Sequence, residues 1–159
     1  MQENRMGIEE FSELMAPILA AVAGKPVDAG LEKELGARFP SGGEMFASIE
    51  AACLAAIEAG WMCAQGEGNR RFGRIIEPAA DTGDLSVDVV DLTNLRGAHH
   101  KHPAGEILMI MPQDEGARFD ARGRGWLVYA PGTGHRPSVE GGRALVLYLL
   151  PGGEIEWTG

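Results

Sequence analysis

The sequence predicts an α+β fold in which N-terminal helices are followed by an antiparallel β-barrel. Three observations carry that expectation. Apolar residues in the first sixty positions recur at helical i, i+3, i+4, i+7 spacing. After Gly60 the texture changes to short β-branched and aromatic runs separated by Gly, Pro and Asp. The chain also holds 23 glycines in 159 residues, which suits the many tight turns of a barrel built from short strands. The helical segment, about 8–60, is too small to fold well alone, so one domain over 1–159 is expected, with the barrel over about 61–159.

Residues 8–24 carry Ile8, Phe11, Leu14, Met15, Ile18, Leu19 and Val22 on one stripe. Pro17 predicts a kink or a break within it, and Gly24 and Pro26 end it. Asp28 is placed to cap a second helix over 29–37, which Pro40 stops. Ser41-Gly-Gly-Glu44 has capping-box spacing ahead of a third helix, with Met45, Phe46, Ile49, Cys53, Ala56 and Ile57 on one face and Gly60 as its end. The strand-like runs that follow are FGRII, LSVDVVDL, EILMIM, GWLVYA and RALVLYLL. Met109 and Met111 alternate with Leu108 and Ile110 as plain strand patterning.

A net charge of −9 argues against general affinity for nucleic acid or anionic lipid. Two cysteines, Cys53 and Cys63, are too few for a disulfide framework and do not form a Cys-x-x-Cys pair, so both are expected as reduced thiols of a cytoplasmic protein. The opening MQENRMGIEEF lacks a basic stretch followed by an apolar one, and no signal peptide is expected. No run reaches ~18 consecutive apolar residues, so no membrane span is expected.

The chemistry concentrates in His99-His100-Lys101-His102-Pro103-Ala104-Gly105-Glu106. Side chains two apart on a strand share a face, so His100 and His102 can point the same way, with His99 out of phase. Pro103-Ala104-Gly105 reads as a turn, and an antiparallel strand opening at Glu106 would bring its carboxylate beside the two imidazoles. His135 follows the turn Ala130-Pro131-Gly132-Thr133-Gly134 and is the fourth candidate. A His-x-His pair alone arises by chance on surface strands. The glutamate across a turn and a Pro-Gly-x-Gly-His in a later strand-turn context make a metal site the better reading. Imidazole and carboxylate together suit a divalent Zn, Fe, Mn, Co or Ni ion.

These residues resemble the cupin superfamily, whose first motif contains His-x-His-x-x-x-Glu, met by His100, His102 and Glu106. Its second contains Pro-x-Gly-x-x-His, and Pro131-Gly-Thr-Gly-His135 is one residue shorter. The ordered set Gly60-Trp61, Arg71-x-x-Arg74, Ser86-Val-Asp-Val-Val90, His102-Pro-Ala-Gly-Glu106, Trp126-x-Val-Tyr129-x-Pro-Gly and Leu147-Tyr-Leu-Leu-Pro-Gly-Gly-x-Ile-Glu156 is similar to the 4-hydroxylaminobenzoate lyase family over nearly the whole chain. The resemblance implies a cupin-type barrel and conversion of 4-hydroxylaminobenzoate to 3,4-dihydroxybenzoate with loss of ammonia.

Under that resemblance the substrate carboxylate calls for a guanidinium. Arg71, Arg74 and Arg136 are the candidates, Arg74 first because it lies in FGRII. Tyr129 and Tyr148 are candidates for proton donation or for lining an aromatic pocket. Glu106 is open to two roles, metal ligand or general acid–base. Catalysis is thus expected from Glu106, Tyr129 and Arg74, and substrate binding from Arg71, Arg74, Arg136 and Tyr148. Trp61, Trp126 and Trp157 are read as packing. A small aromatic molecule is the expected partner, without nucleic acid or membrane, and a homo-oligomer is the expected assembly. Other readings of the same scaffold are a metal-dependent dioxygenase or isomerase, separable by anaerobic turnover, and a non-catalytic small-ligand sensor.

Overall fold

Three α-helices precede ten strands in the computed structural model, which describes residues 7–158. The absence of a signal peptide was read partly from residues 1–6, which lie outside the described residues.

Helix α1 spans Ile8–Val22 and buries Phe11, Met15, Ile18, Leu19 and Val22. Of the expected kink or break, the break does not occur: Pro17 lies inside one continuous helix. Pro17 sits on the exposed face, so the backbone carbonyl it leaves unpaired can turn to water while the apolar stripe holds the helix to the core. Helix α2 spans Ala29–Arg38, and the Asp28 carboxylate accepts the Leu31 N–H at 3.0 Å, as its position before the helix predicts. Helix α3 spans Glu44–Ala59, but Gly43 is its N-cap and the Ser41 capping box does not form. The Gly43 N–H donates to the Pro40 carbonyl at 2.9 Å, so Ser41 is taken up in the turn before the helix. Gly60 closes α3 in the left-handed conformation at φ 92°.

The strands are β1 (Gln65–Glu67), β2 (Arg70–Ile76), β3 (Leu85–Arg96), β4 (His100–His102), β5 (Glu106–Pro112), β6 (Arg118–Phe119), β7 (Gly125–Tyr129), β8 (Thr133–His135), β9 (Ser138–Pro151) and β10 (Glu156–Trp157). Every pairing is antiparallel. They form two sheets. The larger has seven strands in the order β1-β2-β3-β9-β5-β7, with β6 also pairing β9; the smaller is β10-β4-β8. The strand order runs from one edge to another, and among the described residues the hydrogen-bonded ladder does not close into a ring.

Both faces of the large sheet are buried, which is why its central strands read as unbroken apolar runs rather than alternating ones. Ile107, Met109, Leu147 and Leu149 pack with Phe11, Met15, Phe46 and Ile49 of the helices. Leu108, Ile110, Val146 and Tyr148 form a second cluster on the opposite face. Each fully buried side chain of this kind contributes about 1.5–3 kcal/mol. Period-two alternation puts Glu106 on the face of Leu108 and Ile110, away from the helices. No helix among the described residues is long and apolar enough to cross a membrane.

Candidate metal centre

Strand β4 alternates buried, exposed, buried over His100, Lys101 and His102, so the two histidines share the inner face. Strand β8 pairs with β4 in a register that sets His135 opposite His100 and Thr133 opposite His102. Glu106 arrives differently from the sequence expectation. Its strand β5 belongs to the large sheet and is not a neighbour of β4. The turn at 103–105 instead crosses from one sheet to the other, with Gly105 N–H donating to the His102 carbonyl at 3.1 Å. Gly105 has φ 91°, and a Cβ there would lie 2.6 Å from a Val27 methyl and 3.0 Å from the Tyr129 carbonyl. Only glycine fits that crossing.

The result is four residues, His100, His102, Glu106 and His135, with one ligand atom each and all four atoms within 4.8 Å of one another. Glu106 Oε2 lies 3.2 Å from His100 Nε2, and Oε1 lies 3.2 Å from His102 Nε2 and 3.3 Å from His135 Nε2. His100, His102 and Glu106 are at most 1% exposed. His100 Nδ1, His102 Nε2 and Glu106 Oε1 are buried without a hydrogen-bond partner. Leaving such atoms unsatisfied costs about 1–3 kcal/mol each. A divalent ion at the point of convergence would occupy His102 Nε2 and Glu106 Oε1, so the residues fit the group.

The surroundings aim the rings. The Thr133 hydroxyl donates to the Ala130 carbonyl at 2.6 Å, so its oxygen accepts from His102 Nδ1–H at 2.9 Å. In the neutral ring Nε2 then keeps its lone pair and faces Glu106. Asp120 does the same for His135, accepting from Nδ1–H on Oδ2. That oxygen also accepts the Tyr129 hydroxyl at 2.6 Å, and Oδ1 accepts the Ser138 N–H at 3.0 Å. Partners of this kind set the tautomer and orientation of metal-binding imidazoles.

The charges follow from these contacts. Burial alone would raise the Glu106 carboxyl, but the surrounding imidazoles, His100 first, outweigh it and hold the group well below the usual carboxylate range. Burial would lower His135, yet its bonds to Asp120 and Glu106 carry it up to about 9. Burial, then the bond to Asp120, raises the Tyr129 phenol above its ordinary range and keeps it a neutral donor.

A cavity of about 300 Å³ runs along the face of β2 and β3 and reaches His100. Its wall includes Phe72, Tyr148 and Trp157. Trp157 pairs with His100 in register and meets its ring edge-on at 5.0 Å between centroids. Tyr148 is 5% exposed, and Arg74 also lines the space. Arg71 is one residue out of phase on β2 and lines a separate depression with Arg143 beside α3. Arg136 is exposed beside His99 on an open surface groove. Tyr129 stacks on His102 at 5.2 Å and points its hydroxyl at Asp120 rather than lining the cavity. The structure thus brings the four candidate ligands together with Tyr129, places Tyr148 and Arg74 at the adjoining cavity, and leaves Arg71 and Arg136 outside it.

Asp120, Thr133, Trp157 and Arg70 were not singled out as site residues from sequence. Thr133 had a local clue, since it precedes His135 by two on one strand. Asp120 had none: it sits in a two-residue hairpin turn with Ala121, both at positive φ, and meets His135 only through the fold.

Comparison with known proteins agrees with the motif-based resemblance. The pattern of the PnbB 4-hydroxylaminobenzoate lyase family matches residues 13–157. The chain belongs to this family. Its relatives include the 4-hydroxylaminobenzoate lyase of Pseudomonas putida, 31% identical over 94% of both chains, and that of Nocardioides sp. (strain LMS-CY), 28% identical over 94% of both. Among solved structures, an RmlC-like cupin protein from Ralstonia eutropha aligns at TM-score 0.46 and 14% identity, over 60% of this chain and 64% of the other. As a member of the lyase family the chain is an enzyme of that kind, with a histidine–glutamate group able to hold a metal ion.

Proposed function

We propose that this enzyme converts 4-hydroxylaminobenzoate to 3,4-dihydroxybenzoate and ammonia, using a divalent metal held by His100, His102, Glu106 and His135. In the same reading the two sheets are the halves of a cupin-type barrel within a single domain. The observation that carries the proposal is the placement of an aryl-sized, aromatic-walled cavity against the His100 edge of the four-residue cluster.

The reaction consumes one water and balances without an external oxidant or reductant. The N–O bond breaks and takes two electrons from the ring, a C–O bond forms at the neighbouring carbon with loss of its proton, and water replaces nitrogen as ammonia leaves. Each stage moves protons. A divalent ion in the site supplies Lewis acidity and lowers the pKa of water. Phe72, Tyr148 and Trp157 hold the ring and exclude bulk solvent. Tyr148, which burial keeps protonated, offers a neutral hydroxyl to the substrate. Glu106 is kept ionised by the three histidines and serves as ligand or proton acceptor. Tyr129 and Asp120 keep His135 aimed. Arg74 stiffens the cavity wall through Asp88.

The test is an anaerobic ammonia assay on 4-hydroxylaminobenzoate, without nicotinamide or flavin, using protein whose metal content has been measured. Equal ammonia and 3,4-dihydroxybenzoate are expected. No ammonia from metal-loaded protein would remove the lyase reading and favour another metal-dependent chemistry on the same scaffold.

A further inference from the structure

Strand alternation puts Arg70, Phe72 and Arg74 on one face of β2, and all three line the cavity beside His100. The charged side chains of that wall are Arg70, Arg74 and Asp88, one positive charge in excess. Arg74 is already committed. Its Nε donates to Asp88 Oδ2 at 3.0 Å, its Nη2 to the Gly153 carbonyl at 2.9 Å, and Glu77 lies 3.7 Å away. Arg70 forms no ion pair with any described residue, and its guanidinium carbon sits 4.5 Å over the Phe72 ring. Stacking of this kind fixes the plane of the guanidinium while leaving its outer N–H fork free for a carboxylate.

We propose that Arg70 anchors the substrate carboxylate and is the residue that makes this enzyme select carboxylated over neutral aryl hydroxylamines. The proposal deepens the lyase reading and rests on it for the identity of the substrate. The excess charge of the cavity lies on Arg70, because Arg74 and Asp88 neutralise each other. The aromatic ring of the substrate then lies between Phe72, Tyr148 and Trp157, with its nitrogen directed to His100.

The test pairs removal of the guanidinium with removal of the carboxylate. Benzoate and benzamide have the same ring and differ in charge, and Trp157 at the cavity provides a fluorescence readout for both. Wild-type protein is expected to bind benzoate more tightly than benzamide by about 5- to 30-fold, the range for a partly exposed, fork-matched pair. Arg70→Met should abolish that preference and leave benzamide binding unchanged. Arg70→Lys should restore part of it, and Arg71→Met, which lies outside the cavity, should retain it. Arg70 is exposed, so its replacement spares folding. In turnover, Arg70→Met should raise KM for 4-hydroxylaminobenzoate by a similar factor with kcat little changed, and should not affect phenylhydroxylamine. Loss of the preference in Arg74→Met but not Arg70→Met would overturn the assignment, as would no preference in the wild type. If ammonia is never released yet the benzoate preference depends on Arg70, the lyase reading fails and the anchor stands.

Discussion

Replacing Asp120 with asparagine preserves the shape of the side chain and exchanges one acceptor oxygen for a donor. In the wild-type protein Oδ2 accepts from the Tyr129 hydroxyl and from His135 Nδ1–H, and Oδ1 accepts the Ser138 N–H. Three donors converge on a group that only accepts. If the asparagine carbonyl serves Ser138, its NH2 faces His135 Nδ1, and the ring answers by moving its proton to Nε2. That nitrogen lies 3.3 Å from Glu106 Oε1 and 3.1 Å from His100 Nε2, so it is the one that would meet a metal. Once protonated it cannot coordinate. Loss of such an orienting partner costs about 10- to 100-fold in metal affinity, or about 1.4–2.8 kcal/mol. The assay is competition of apo-protein with a chromophoric chelator for zinc at fixed neutral pH, comparing wild type, Asp120→Asn and Asp120→Ala, with circular dichroism to verify folding. Folded variants with wild-type affinity would show that Asp120 does not orient His135 for binding.

Further outcomes follow from the same geometry. His102→Ala or His100→Ala should greatly reduce metal content measured by elemental analysis, whereas His99→Ala, whose ring faces Thr158, should matter less; full occupancy in the first two would refute the ligand set. Gly105→Ala should lower unfolding stability by about 2–4 kcal/mol, combining left-handed strain with the clash on Val27, and urea denaturation with no loss would contradict the crossing described for that turn. Burial pushes the Cys63 thiol up to about 12 and the Cys53 thiol higher still, so neither should react with a disulfide reagent at pH near 8 until the chain unfolds. Immediate labelling of the native protein would refute their burial.

The helices were legible because their determinants are local. The stripe from Phe11 to Val22, the Asp28 cap and the Gly60 terminator each act within a turn or two of chain. Pro17 and Ser41 misled because neither residue states its surroundings. Pro17 was tolerated once packing assigned it to the water-facing side of α1, and Ser41 was drawn into the preceding turn.

The site divides along the same line. The sequence by itself determined that His100 and His102 share a face and that Glu106 follows them across a turn, since these depend only on strand alternation and a spacing of a few residues. Tertiary structure decided which face of β2 meets the cavity, and therefore that Arg70 rather than Arg71 lines the space that reaches His100. It also decided that Glu106 reaches the histidines from the other sheet, that His135 pairs with His100, and that Asp120 and Thr133 set the ring tautomers. Apart from the short hop of Glu106, those relations join residues 15 to 35 positions apart in the chain. They are fixed by sheet register and the packing of two sheets, which are properties of the whole core and leave no mark on any short stretch of sequence.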